Sequence, residues 1–200
     1  MDALSSIGVL LGSSWASGIN LYMTVAGLGI ADMMHWIALP GNMKALSNPL
    51  VILVAGVMYV VEFVADKIPF VDSVWDSVHT FIRPIGGAAL GYMAAANIGP
   101  AAQIPVALIA GTVAMDSHLT KATTRVAINS TVPGTNAIAS VSEDVAVFGV
   151  LYLIIKHPII TAVVVIAFIA FSIWFLIVMF KFLKRVLSFI FGPKEPAAVK

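Results

Sequence analysis

The 200-residue chain has no cysteine and very little charge: Asp, Glu, Lys and Arg make up 10% of it, against about 25% in a soluble domain. Without cysteine there is no disulfide framework, no Cys-ligated zinc site and no thiol nucleophile. With 60% of its residues hydrophobic, a fold of this size has too little polar surface to cover itself in water. Lipid is the solvent that suits it. A net charge of +1 gives no hold on nucleic acid. The N-terminus lacks the basic region of a signal peptide. Asp2 is its only charge before a long apolar stretch, which therefore reads as a retained first span. No Gly-x-Ser-x-Gly and no His-Glu-x-x-His occurs, so no catalytic residue and no cofactor is assigned.

What the chain does have is a series of apolar runs. A helix crossing a bilayer needs about 20 mostly apolar residues. Six runs qualify as candidates, at about 7–34, 49–66, 85–98, 101–118, 141–155 and 158–180. The first is interrupted by the small-polar Ala16-Ser17-Gly18-Ile19-Asn20. The third and fifth are short enough to be tilted, re-entrant or buried among other helices. The expected fold is all-α: a polytopic membrane helical bundle of about six spans, some short or interrupted, plus one amphipathic interfacial helix at about 70–83. Residues 1–186 form one membrane-embedded domain, and 187–200 a flexible cytoplasmic tail. Gly87-xxx-Gly91 permits close helix approach, and Pro84 suits a helix start.

An even number of spans puts both termini on one side. That side would hold Lys67, Arg83, Lys121, Arg125, Lys181, Lys184, Arg185, Lys194 and Lys200, against Lys44 and Lys156 on the other. The bias places both termini in the cytoplasm. The basic run 181–185 then anchors the last span on anionic lipid heads, or serves as a regulatory or partner-binding tail.

Asp2, Asp32 and Glu195 are peripheral. The other seven acids fall in three stretches beside basic residues. In the first, Glu62 and Asp66 are four apart and share a helix face. Two like charges there need a cation from another segment, and Arg83, Lys121 and Arg125 are the candidates. In the second, Asp72, Asp76, His79 and Arg83 form one polar stripe opposite Val71, Val74, Trp75, Val78 and Ile82. The simple expectation is a helix lying on the membrane surface, its acidic stripe suited to a protein partner. Asp72, Asp76 and His79 offer oxygen and nitrogen ligands, yet one helix supplies too few for a metal ion, so no metal site is assigned. In the third, Asp116, His118, Lys121, Arg125 and Asn129 are too polar to face lipid and read as the cytoplasmic half of a span facing a polar cavity. Residues 131–136 are a turn, after which Ser142 is expected to cap a helix with Glu143 and Asp144 in its first turn. With the polar break at Asn20, these residues are the candidates for binding a substrate or ion.

The motifs Ala16-Ser17-Gly18-Ile19-Asn20-Leu21-Tyr22, Val61 to Pro69 through Trp75-Asp76 to His79-Thr80-Phe81-Ile82-Arg83-Pro84, Lys121-Ala122-Thr123-Thr124-Arg125 with Asn129, and Ser142-Glu143-Asp144 carry a resemblance. Over about residues 5 to 175 the chain resembles a bacterial inner-membrane family catalogued only as a domain of unknown function. The resemblance implies a multi-pass protein of the inner (plasma) membrane. It brings no activity, substrate or catalytic residue.

Three functions are open. A small transporter, channel or lipid-head translocator is favoured by the interrupted first span and the intramembrane charges: broken helices offer dipole ends and free carbonyls, and His118, Lys121 and Arg125 attract anions. A structural or assembly protein would dock a partner through the amphipathic helix. A membrane enzyme is the third. The expected partners are the lipid bilayer, an anionic lipid or small ion, and a second copy or another protein, with no nucleic acid.

Overall fold

A computed structural model describes residues 3–191, and every regular element among them is helical. The helices are α1 (Ala3–Ile19), α2 (Leu21–Met33), α3 (Pro49–Ala65), α4 (Val71–Ala94), α5 (Pro100–Thr131), α6 (Asn136–Lys156) and α7 (Pro158–Phe191), with a 3-10 segment at Gly41–Ser47. Their starts follow local chemistry. Asn20 and Asn48 cap α2 and α3 with their side-chain oxygens, and proline opens α3, α5 and α7, where its missing N–H costs nothing.

Several expected boundaries move. The run 7–34 is two helices, because Asn20 leaves the helical conformation (φ −147°, ψ 98°) and accepts a hydrogen bond from the Met23 amide. The amphipathic segment 70–83 and the span 85–98 are one helix, α4, with Pro84 inside it rather than at a start. α6 begins at Asn136, so Ser142 caps nothing. Its hydroxyl bonds back to the Ile138 carbonyl, and Glu143 and Asp144 lie in the second and third turns. α7 continues past residue 186 to Phe191. The rest of the expected tail, 192–200, lies outside the described residues.

α1 and α2 fold back on each other. Asn20 reaches Asp144 on α6, whereas Gly12 on α1 lies against Ile154 and Gly27 on α2 lies against Leu151. Both helices thus climb the same stretch of α6 from a tip at Asn20. The start of α1 shares a cavity with Pro40 and Asn97, so residues 34–48, 95–99 and 157 mark one end of the bundle. Residues 66–70 and 132–135 mark the other. α7 leaves Gly8 at Pro158, stacks Phe168 on Trp15 and reaches Asp116 with Ser172. It is therefore heading for the far end, and the two ends of the described chain lie at opposite ends of the bundle.

The most extensive helix–helix contact is that of α4 with α5. A Cβ at Gly87 or at Gly91 would sit 2.4 Å from Ala114 or Ala110, so glycine is what lets the two backbones meet. By length and composition two helices, α6 and α7 over 158–185, are apolar enough to cross a membrane. Among the described residues the segment Gly41–Ser47 with α3, bent by 71°, makes a third if the bent pair is one span. α4 and α5 are longer than α6 and shorter than α7, but each carries three charged residues.

The distribution of side chains is the reverse of a soluble protein's. Leu50, Val74, Phe81, Ile85, Leu108 and Phe148 are each more than 60% exposed, while Glu62, Asp72, Arg83 and Arg125 are completely buried. The expected surface helix is corrected accordingly. The stripe Asp72, Asp76, His79 and Arg83 points into the bundle, and Val71, Val74, Val78 and Ile82 point out. An amphipathic helix buries whichever face its solvent rejects, and an apolar solvent rejects the polar one.

Candidate functional site

The charged stretches of α3, α4, α5 and α6 meet in a column along the bundle axis. Arg83 is twelve residues into α4, about 18 Å from the far-end start of that helix at 1.5 Å per residue. Asp72 lies at that start. The column therefore runs from the far end to mid-bundle, where the tip of the α1–α2 hairpin closes it. The apolar core of Val9, Leu28, Met43, Leu90 and Ile154 fills the other half.

At the deep level Arg83 donates to Glu62 Oε1 at 2.8 Å, to His118 Nδ1 at 2.9 Å and to the Gly18 carbonyl at 3.3 Å, with Asp76 Oδ1 at 3.1 Å. Guanidinium only donates, so His118 Nδ1 accepts. The Thr80 hydroxyl already donates to the Asp76 carbonyl, so His118 Nε2 donates to it, at 3.0 Å. His79 is fixed by the same logic. Its Nδ1 donates to the Trp75 carbonyl at 2.8 Å, and its Nε2 accepts from the Tyr22 hydroxyl at 3.1 Å.

At the middle level Lys121 Nζ lies 2.5 Å from Asp66 Oδ2, 3.5 Å from Glu143 Oε2, 3.6 Å from Glu62 Oε1 and 3.9 Å from Asp76 Oδ1. It also donates to the Ile19 carbonyl at 3.3 Å. Four carboxylates from three helices thus surround one ammonium, with a carbonyl freed by the break at Asn20. Near the far end Arg125 grips Glu143 with two bonds, at 2.6 and 3.1 Å, and donates to the Asp66 and Asn136 carbonyls, each at 3.0 Å. Asp72 accepts from Asn129 and Asn136. Asp144 accepts from Asn20 at 3.3 Å.

All the residues expected to bind a substrate or ion fall in this column except Asp116. It faces α7 and accepts from the Ser172 hydroxyl. Asp72, Asp76 and His79 turn to different partners, and among the described residues no three His, Asp or Glu side chains are grouped to hold a metal ion. Asp32, read as peripheral, ties the 34–48 connection by accepting from the Leu39 amide and the Ser47 hydroxyl. Tyr22, Thr80 and Asn136 also belong to the column. The sequence pattern puts Asn136 in a turn, and Tyr22 follows the Asn20 break by two residues, which is the available signal.

The side chains of the column are almost all buried. Glu143, whose side chain is 16% exposed, reaches a lateral cavity of about 260 Å³ that Trp15, Thr120, Phe168, Phe171 and Ser172 also line. Its charges do not balance. Glu62, Asp66, Asp72, Asp76, Glu143 and Asp144 stand against Arg83, Lys121 and Arg125, with Lys67 at the margin on Ser140. Several buried oxygens of these acids have no hydrogen-bond partner: Glu62 Oε2, Asp66 Oδ1, both oxygens of Asp76, and Asp144 Oδ2.

Compared with known proteins, residues 7–177 match a family described as a domain of unknown function (DUF4126). No curated protein matches the chain, and no solved structure matches it.

Proposed function

Since the chain belongs to that family of unknown function, its activity has to be read from the site, and we propose that it is a membrane carrier for a small cation, with the charged column as its binding and coupling centre. The exposed apolar helix faces support a bundle solvated by lipid. In this reading α3 to α7 cross the bilayer five times, and α1 and α2 form a re-entrant hairpin entering from one side. The observation that carries the proposal is the junction of the hairpin tip with the column. A broken helix brings the free carbonyls of Gly18 and Ile19 to Arg83 and Lys121 at mid-bundle, the arrangement in which discontinuous helices of carriers hold ions. The acidic surplus favours a positive solute over the anionic lipid head. Docking a partner through α4 loses its motive, because Asp76 is 2% exposed.

The test is flux into liposomes holding the purified full chain. Vesicles are challenged with gradients of Na⁺, K⁺, small alkylammonium ions and protons. Protein-dependent flux of at least one, reduced in Glu143→Gln, is expected. Traces that superimpose on those of empty vesicles for every cation would remove the carrier reading.

A further inference from the structure

Asp76 has a peculiar position in the column. It is 2% exposed, and neither of its carboxyl oxygens has a hydrogen bond. Arg83 lies 3.1 Å away but aims its N–H groups at Glu62, His118 and Gly18. Lys121 is 3.9 Å away and bonds Asp66 instead. A buried carboxylate without a single donor bears its full desolvation penalty. The groups facing it are Glu62 and Asp66 on α3, His79 and Arg83 on its own helix, Lys121, His118 and Arg125 on α5, and Glu143 on α6. Among these the acids equal the Lys and Arg in number, so Asp72 and Asp144 add charge that nothing buried balances, and Asp76 itself adds more. Two further buried oxygens of the same cage, Glu62 Oε2 and Asp66 Oδ1, lack a donor. A carboxylic acid at Asp76 would supply one.

We infer that the cage around Lys121 Nζ is a proton-binding site, with the proton held on Asp76 and shared toward Glu62 and Asp66. A hydronium ion at the far end gives up the proton: its O–H bond breaks, leaving water, as an O–H bond forms on Asp76, which passes from carboxylate to carboxylic acid. A metal cation is the weaker occupant: the Lys121 ammonium already sits where the four carboxylates converge. The proton is the ion that the proposed carrier would couple to. The inference rests on that reading only for the use of the site, since occupancy is measured without flux.

The experiment is infrared spectroscopy of the full chain in liposomes at neutral pH, comparing wild type, Asp76→Asn and Glu62→Gln in NaCl, KCl and choline chloride. A protonated-carboxyl band is expected in wild type, insensitive to the cation and lost in Asp76→Asn. Asparagine resembles the protonated acid, so Asp76→Asn should fold to the wild-type yield. Glu62→Gln breaks the 2.8 Å pair with Arg83 and should lower that yield several-fold. Absence of the band in wild type overturns the inference, as does a band that NaCl or KCl abolishes relative to choline. So does the reverse tolerance, with Asp76→Asn failing to fold while Glu62→Gln is accepted.

Discussion

At the scale of single residues the column is held by three cations, and they are not equivalent. Arg83 is completely buried, as is its partner Glu62. Removing one member of a buried pair costs about 3–5 kcal/mol, because the other charge stays behind. Arg83→Met is therefore expected to destabilise the protein by that order, and Arg83→Met with Glu62→Met to recover part of it. Thermal unfolding of the purified protein checks this, and losses that simply add would contradict it. Arg125 is bound differently. Besides the fork on Glu143 it satisfies two backbone carbonyls, those of Asp66 at the end of α3 and Asn136 at the start of α6. It ties two helix termini together. Arg125→Lys keeps the charge but cannot make four directed bonds, so it is expected to lose folded protein in size-exclusion profiles, whereas Lys121→Arg, at a site read mainly by charge, loses less. The need of Glu62 and Asp66 for a cation from elsewhere was legible in their spacing. Which cation each takes was not, because Arg83, Lys121 and Arg125 all satisfy the same electrostatic demand, and only the tertiary arrangement of α3, α4 and α5 around the column chooses among them.

At the scale of elements the hairpin tip carries most of the specificity. Asn20 ends one helix and caps the next, and a cap of this type is worth about 1 kcal/mol. Gly18 is tighter. A Cβ there would lie 1.9 Å from Ser117 Oγ and 2.1 Å from the Ala114 carbonyl, so the tip would have to leave α5 and take the Gly18 and Ile19 carbonyls away from Arg83 and Lys121. Gly18→Ala is expected to cost more than Asn20→Ala, roughly 1–3 kcal/mol for overpacking, and to impair any flux disproportionately. Equal melting temperatures for the two variants would contradict it. The break at 16–20 was legible because small and polar residues interrupt an apolar run. The reversal at the break was not. A capping residue states that one helix stops, and the direction of the next is set by where α2 finds apolar partners on α3 and α6. α4 shows the complementary failure. Spacings of four, three and four correctly put Asp72, Asp76, His79 and Arg83 on one face, but periodicity is silent on which way that face points. That depends on the solvent, and the stripe turned inward toward the cations of α5.

At the scale of the whole molecule the hairpin changes the parity of the chain. A single span at 7–34 would make six crossings and put both termini on one side; in the proposed topology a hairpin takes its place, which leaves five crossings and puts the termini on opposite sides. The charge bias has to be recounted with it. Arg83, Lys121 and Arg125 are buried in the column and meet no headgroup water, and Lys194 and Lys200 lie outside the described residues. Lys67, Lys181, Lys184 and Arg185 then belong to the far end, and Lys44 and Lys156 to the end where α1 begins. On the proposed topology the asymmetry predicts that the far end, and the end of α7, face the cytoplasm, and that the start of α1 lies on the opposite face. The absence of cysteine makes this directly measurable, since every introduced thiol is the only one present. With a membrane-impermeant maleimide on sealed right-side-out vesicles, Leu4→Cys and Asn97→Cys are expected to label without lysis, and Lys181→Cys only after it. Asn97 is outside in either arrangement and serves as the reference, so Leu4 decides. If Leu4→Cys labels with Lys181→Cys, the hairpin does not return to the face it entered from, and the carbonyls of Gly18 and Ile19 lose their place at the mid-bundle end of the column.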